Sequence, residues 1–272
     1  MARLNKIHNS PLPEWRAATI NRNELIADLG SAPCLDGTSA CGWCILITSR
    51  WQDLPRTRLL ADVSLWSADL ANLAAGIERV EAFADSFHLD VSDAHFAPSL
   101  LFFPDLIRAL RLLSKRPFHI HLMVERPTAM IEELVASGAD VITVHAEVGK
   151  SEAAAAIEVI LLAGRSAGLA LRLDTPVAAS EPYLGDIDSL LLLGTGLGVR
   201  GQDLAPEACE RLASAASLLG KRRDRVRLIA DGAIRPQTVP LLRRAGADVI
   251  VPGSLVFQSQ NLVETFSWLR AL

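Results

Sequence analysis

The chain has 272 residues, 50% hydrophobic and 21% charged, an ordinary globular composition that excludes disorder throughout. Its 27 basic and 31 acidic residues leave a net charge of −4, so no basic field draws it to nucleic acid or to an anionic membrane. Four cysteines are too few for a disulfide scaffold, which points to free thiols in a reducing, cytoplasmic setting. No stretch approaches the roughly 18 apolar residues that cross a bilayer. No apolar core separates Lys6 from Pro11 and Pro13, as a secretory signal requires.

Residues 1–57 are irregular, broken by Pro11, Pro13, Gly30, Pro33, Gly37 and Gly42. From Arg58 onward, short apolar runs alternate with segments of helical period. Strands are expected over Leu59–Leu65, Ser86–Val91, Phe118–Met123, Val141–His145, Leu169–Leu173, Ser189–Leu193, Arg227–Ala230 and Val249–Val251. Helices are expected over Leu70–Phe83, Pro104–Leu113, Thr128–Ser137, Glu152–Ala163, Pro206–Leu219, Gln237–Ala245 and Leu262–Leu269, with a weak one over Ala178–Leu184. Gly138, Gly164, Gly220 and Gly246 stand where left-handed helix caps are expected. Eight strand–helix units in about 215 residues predict a (β/α)₈ TIM barrel over 58–272, preceded by an N-terminal extension over 1–57. An open doubly wound sheet would want a glycine-rich turn after the first strand, and Val63-Ser64-Leu65-Trp66-Ser67 has no glycine.

A barrel carries its chemistry at the C-terminal ends of its strands. His88 and Asp90 lie two apart on strand two, hence on one face. His121 ends strand three with Met123 on the same face, His145 ends strand four, and Asp231 ends strand seven. Taken singly, each reads as a satisfied polar residue beside a loop. Together, two imidazoles and two carboxylates on one rim suit one divalent metal ion such as Zn²⁺, Fe²⁺, Mn²⁺ or Co²⁺.

These residues sit in longer motifs. His88-Leu89-Asp90-Val91-Ser92-Asp93-Ala94-His95-Phe96-Ala97-Pro98 resembles the second-strand signature of the ribulose-phosphate 3-epimerase family, His-x-Asp-Val-Met-Asp-Gly-His-Phe-Val-Pro. Ser64-Leu65-Trp66-Ser67-Ala68-Asp69 resembles its Ser-Ile-Leu-Ser-Ala-Asp segment, and His121-Leu122-Met123-Val124 its third strand. Ala230-Asp231-Gly232-Ala233-Ile234, Gly253-Ser254 and the loop opening at Gly196 continue the likeness to Phe257. The resemblance implies a barrel of the ribulose-phosphate-binding type, working as a homo-oligomer, dimer or hexamer. It implies His88, Asp90, His121 and Asp231 as metal ligands, with Asp90 and Asp231 as the acid/base pair. Ser64, His121, Met123, Gly198, Gly232, Gly253 and Ser254 would meet substrate. It further implies inversion of C3 of a ketose phosphate: one aspartate removes the C3 proton, the metal stabilises an enediolate, and the other aspartate returns a proton on the opposite face.

The chain departs from that pattern at its pocket wall. Ser92 and Leu193 stand where the family has methionines, and Ala94, Ala233 and Arg200 where it has glycines. Arg172 takes an asparagine position and His119 one usually held by aspartate. Arg172 and Arg200 are candidate cations for a substrate phosphate or carboxylate, and His145 a candidate neighbour of the pocket. The substrate expected is therefore D-ribulose 5-phosphate or a related tetrulose or hexulose phosphate. The alternatives are a non-catalytic phosphosugar-binding barrel and another phosphate-binding barrel enzyme; the latter would want a strand-end lysine, which is absent. Cys34, Cys41 and Cys44 lack an obvious fourth zinc ligand. Three roles stay open for residues 1–57: packing across the barrel bottom, extending a subunit interface, or covering the site.

Overall fold

The computed structural model describes residues 50–272. Most of the extension lies outside them, as do Cys34, Cys41 and Cys44; the one described cysteine, Cys209, is a free thiol. Eight parallel strands close into a barrel in sequence order. They are β1 (Leu60–Ser64), β2 (Ser86–Ser92), β3 (Phe118–Met123), β4 (Val141–His145), β5 (Ser166–Leu171), β6 (Ser189–Leu193), β7 (Arg227–Asp231) and β8 (Val249–Ile250). The helices between them are α1 (Leu73–Val80), α2 (Pro104–Arg111), α3 (Thr128–Ala136), α4 (Lys150–Leu162), α5 (Ala208–Leu219), α6 (Val239–Arg244), α7 (Ser254–Phe257) and α8 (Leu262–Ala271). After β5 the chain makes only a 3₁₀ helix, Val177–Tyr183, with Pro182 inside it. The four expected cap glycines adopt positive φ, from 47° at Gly220 to 111° at Gly246. Among the described residues no helix is long and apolar enough to cross a membrane.

Strand parity separates two cores. Phe87, Leu89 and Val91 of β2 and Phe118, Ile120 and Leu122 of β3 face the helices and belong to the layer between barrel and helices. The alternate positions face the barrel axis, because successive strand residues point to opposite sides. On β1 to β4 that inward set is largely polar: Asp62, Ser64, Ser86, His88, Asp90, His119, His121, Thr143 and His145, all buried. On β6 to β8 it includes Leu191, Leu193, Ile229 and Val249, which pack in a second cluster with Trp51 and Leu54. Residues 50–57 therefore belong in part to the barrel interior. Arg227, buried at the foot of β7, donates to the carbonyls of Leu54 and Pro55 and so anchors that segment.

The expected fifth strand, Leu169–Leu173, is shifted: it begins at Ser166 and ends at Leu171. Small residues hide its start. A Cβ on Gly168 would run into the Thr143 and Ser189 hydroxyls of the flanking strands, so only glycine fits there. The first helix begins three residues later than its apolar period suggests. An Asp69 turn, with Oδ1 accepting from the Ala71 amide at 3.0 Å, delays it.

Candidate active site

Register brings the polar side chains together. Ser64 pairs with His88 across β1–β2, and Asp90 with His121 across β2–β3. Asp231 reaches the same centre from the end of β7. One ligand atom each from His88, Asp90, His121 and Asp231 falls within a 4.8 Å cluster. His88 Nε2 lies 3.3 Å from Asp90 Oδ1 and 3.9 Å from Asp231 Oδ2. His121 Nδ1 lies 3.2 Å from Asp90 Oδ1 and 3.6 Å from Asp231 Oδ2. Ser64 Oγ donates to Asp90 Oδ2 at 3.2 Å.

Hydrogen bonds fix which ring nitrogens face this centre. Burial opposes ionisation of Glu147, but its hydrogen bonds, with His145 first and then with Thr175 and the Arg172 amide, hold its pKa at about 2. Burial also pushes the His145 pKa down to about 4, so that ring is neutral. His145 Nδ1 therefore donates to Glu147 Oε2, 2.9 Å away. Its Nε2 then accepts from His121 Nε2, also at 2.9 Å. That leaves His121 Nδ1 facing the two aspartates. His88 Nδ1 donates to Asp62 Oδ2 at 2.9 Å, so Nε2 faces the aspartates from the other imidazole. This buried Nε2 makes no hydrogen bond. An orphaned nitrogen between two carboxylates is the mark of a site shaped for a cation. A tetrahedron of bonds of about 2.0–2.1 Å sets neighbouring ligands about 3.3–3.4 Å apart, close to the separations found. The four residues could hold a divalent metal ion.

The charges fit the same picture. Burial opposes the charged form of His88, yet Asp90 and Asp62 hold its pKa well above the ordinary value. Burial opposes ionisation of Asp90 too, but His88 and His121 hold it well below the usual carboxylate range. Asp231 is raised, by burial first and then by the Asp90 charge. The two carboxylates are pushed in opposite directions.

Above the cluster opens a cavity of about 400 Å³. Its lining includes Ser64, Asp90, His121, Met123, Gly198, Arg200, Asp231, Gly232, Gly253 and Ser254. All the substrate-facing residues expected from the sequence thus meet in one space. Gly232 has φ 97°, and a Cβ there would run into the Thr195 hydroxyl. At Gly198, φ 70°, an added Cβ would crowd Ala97, Pro98 and Ser99, so the loop after β6 comes close to the loop after β2 there. Ala94 and Ala233, standing where the family has glycines, hold φ of 61° and 52°, the left-handed backbone. Arg200 and Trp66 both line the cavity and stack, guanidinium carbon 4.6 Å from the ring centre. Arg172 lies elsewhere. Its guanidinium rests 4.1 Å from the Phe96 ring centre and donates to the Phe96 carbonyl. Ser92 turns its hydroxyl to the Ser99 carbonyl, and His95 is exposed on its loop.

Sequence reading missed Asp62, Glu147 and Trp66. Parity was the available signal for Asp62, which lies two residues before Ser64 on β1; Glu147 and Trp66 fall in 3₁₀ turns just past β4 and β1, where strand parity no longer applies. A carboxylate inward on a buried strand must find a donor.

Residues 60–257 match the model of the ribulose-phosphate 3 epimerase family. A ribulose-phosphate 3-epimerase of Treponema pallidum is 37% identical over 195 residues, covering 71% of this chain and 89% of the relative. One from Bacillus subtilis is 32% identical over 209 residues, 76% of this chain and 96% of that one. Among solved structures, an orotidine 5'-phosphate decarboxylase from Pyrococcus horikoshii superposes with a TM-score of 0.58 at 15% identity, covering 78% of this chain and 97% of that one. A 3-hexulose-6-phosphate synthase gives 0.56 at 17%, covering 79% and 98%. These two likenesses speak to the barrel alone. On the strength of the sequence matches, the chain belongs to the ribulose-phosphate 3-epimerase family.

Proposed function

We propose that the protein is an epimerase of a pentulose phosphate, interconverting D-ribulose 5-phosphate and D-xylulose 5-phosphate by inversion at C3. The observation that carries this reading is the meeting of Asp90 and Asp231, from β2 and β7, beside two imidazoles on the floor of one cavity. Binding a sugar phosphate needs no such pair, whereas inversion needs one group to take the C3 proton and another to deliver a proton to the opposite face. The opposite pKa directions of Asp90 and Asp231 suit a pair that takes and returns a proton in turn. They approach the centre from strands separated around the barrel by β1 and β8. Ser64 holds the Asp90 carboxylate by its second oxygen. A divalent ion held by His88, Asp90, His121 and Asp231 would supply Lewis acidity at the substrate's C2 oxygen. Met123 and Leu193 line the cavity and limit water around the reacting carbon. The phosphate is assigned to the loops carrying Gly198, Gly232, Gly253 and Ser254, with Arg200 as an added cation. No lysine stands on any of the eight strands, which removes the amine that other phosphate-binding barrels would need.

The test is solvent deuterium entry at C3, followed by NMR for tetrulose, pentulose and hexulose phosphates with the Zn²⁺-loaded protein. Exchange is expected to be fastest with D-ribulose 5-phosphate. Asp90→Asn and Asp231→Asn should each slow it by about 10² to 10⁴-fold, the usual worth of a positioned acid or base. Absence of exchange with every ketose phosphate would refute the reading.

A further inference from the structure

We propose that Asp62 is a positioning residue for the metal centre: it takes the Nδ1 protons of His88 and His119 together, so that His88 can offer only Nε2 to a divalent ion. The inference rests on the ligand role proposed for His88. Asp62 stands on β1 and is fully buried, below the rim that carries the four candidate ligands. Its Oδ2 accepts from His88 Nδ1 at 2.9 Å and from His119 Nδ1 at 2.6 Å, and its Oδ1 accepts from Ser86 Oγ at 2.7 Å. Both oxygens are therefore in use.

His119 has no nitrogen to spare for a metal. Its Nε2 lies 2.7 Å from Thr143 Oγ1 and its Nδ1 is held by Asp62. Its ring instead forms a wall. It meets the His88 ring edge-on, centroids 4.9 Å apart and planes at 83°. On another side it meets Trp51 at 5.4 Å. The His88 ring is thus fixed by a carboxylate at one nitrogen and by an aromatic contact across its plane. Its remaining nitrogen, buried and without a hydrogen bond, faces Asp90 and Asp231.

The physical reason for such a pair is general. A neutral imidazole carries its proton on either nitrogen, and only the bare one can ligate a metal. A carboxylate accepting at Nδ1 selects the bare Nε2, holds the ring angle and makes the ring a stronger donor; losing such a partner typically costs about 10 to 100-fold in metal affinity. His119 shares the same carboxylate, so Asp62 is itself held in place by two donors and a hydroxyl.

The test measures Zn²⁺ affinity by chelator competition, with circular dichroism to establish folding. Asp62→Ala should bind Zn²⁺ about 10 to 100-fold more weakly than the parent. Asp62→Asn, which keeps an acceptor oxygen but no charge, should lose less. A folded Asp62→Ala protein that binds within about twofold of the parent would overturn the proposal, because a lost orienting partner must show in affinity. A second measurement needs no variant. In the parent labelled with ¹⁵N-histidine, NMR should show a slowly exchanging, hydrogen-bonded proton on Nδ1 of both His88 and His119. Either ring lacking that proton overturns the proposal. A parent that binds no Zn²⁺ refutes the ligand role of His88 instead, and the spectrum still decides the role of Asp62.

Discussion

Arg200 lines the cavity from the loop after β6, its guanidinium carbon over the Trp66 ring, 4.6 Å from the ring centre. Within the loop under it, Gln202 accepts from the Gly196 amide and donates to the Gly196 and Val199 carbonyls. A stacked guanidinium keeps its edge donors free, and a phosphate can take two of them at once. Arg200→Ala should therefore raise KM for the phosphorylated ketose about tenfold, or about 1.4 kcal/mol for this partly exposed contact. Affinity for the unphosphorylated sugar should stay as it was. Equal effects on the two ligands would place Arg200 away from the phosphate. Trp66 matters at this scale because it replaces an aliphatic residue of the family segment; a leucine offers no ring face to hold the arginine. The four candidate ligands were legible residue by residue, since each stands on a strand with inward parity. Asp62 was not, because its role depends on two strands that only register brings beside it.

Glu147 joins the ends of two strands. Oε2 binds His145 at the end of β4, while Oε1 accepts from the Arg172 amide at 2.8 Å and the Thr175 hydroxyl at 2.5 Å, both just past β5. Its pKa falls from 4.5 to about 2. A depressed carboxylate contributes stability that is full above its unfolded pKa and disappears as pH drops through the folded one. Glu147→Gln should therefore cost about 1–2 kcal/mol at about pH 7, after discounting for partial exposure. That difference should shrink below about pH 4.5 and be gone near pH 2. Urea unfolding of both proteins across that range checks it, and a difference independent of pH would refute it. Strands β3, β4 and β6 were readable to the residue because bulky apolar side chains recur along each of them. For β5 this fails: Ser166, Ala167 and Gly168 are small strand residues, and no propensity announces them. Arg172, expected at a strand end near the pocket, instead follows the strand in the turn that Glu147 holds.

The barrel is closed at its foot by residues that precede its first strand. Trp51, 2% exposed, packs with Leu60, Val141, Leu191 and Ile229 in the interior cluster. The same segment gives Arg227 the carbonyls of Leu54 and Pro55 as acceptors. A boundary drawn at residue 57 by loss of regular apolar period misses this, because one aromatic and two carbonyls carry no periodicity. Trp51→Ala should lower the unfolding free energy by about 3–5 kcal/mol, the usual cost of a buried aromatic lost to a cavity. A chain starting at Arg58 should lose more than that. It lacks the tryptophan and also leaves a buried guanidinium without its two acceptors, and an uncompensated buried charge alone costs about 3–5 kcal/mol. The comparison is a chain starting at Arg50, with both unfolded in urea. If the charge is the larger part of the deficit, Arg227→Met should return several kcal/mol to the shorter chain while weakening the longer one, since only the longer one satisfies the arginine. Equal midpoints for the two starting points would mean that the barrel bottom needs no plug.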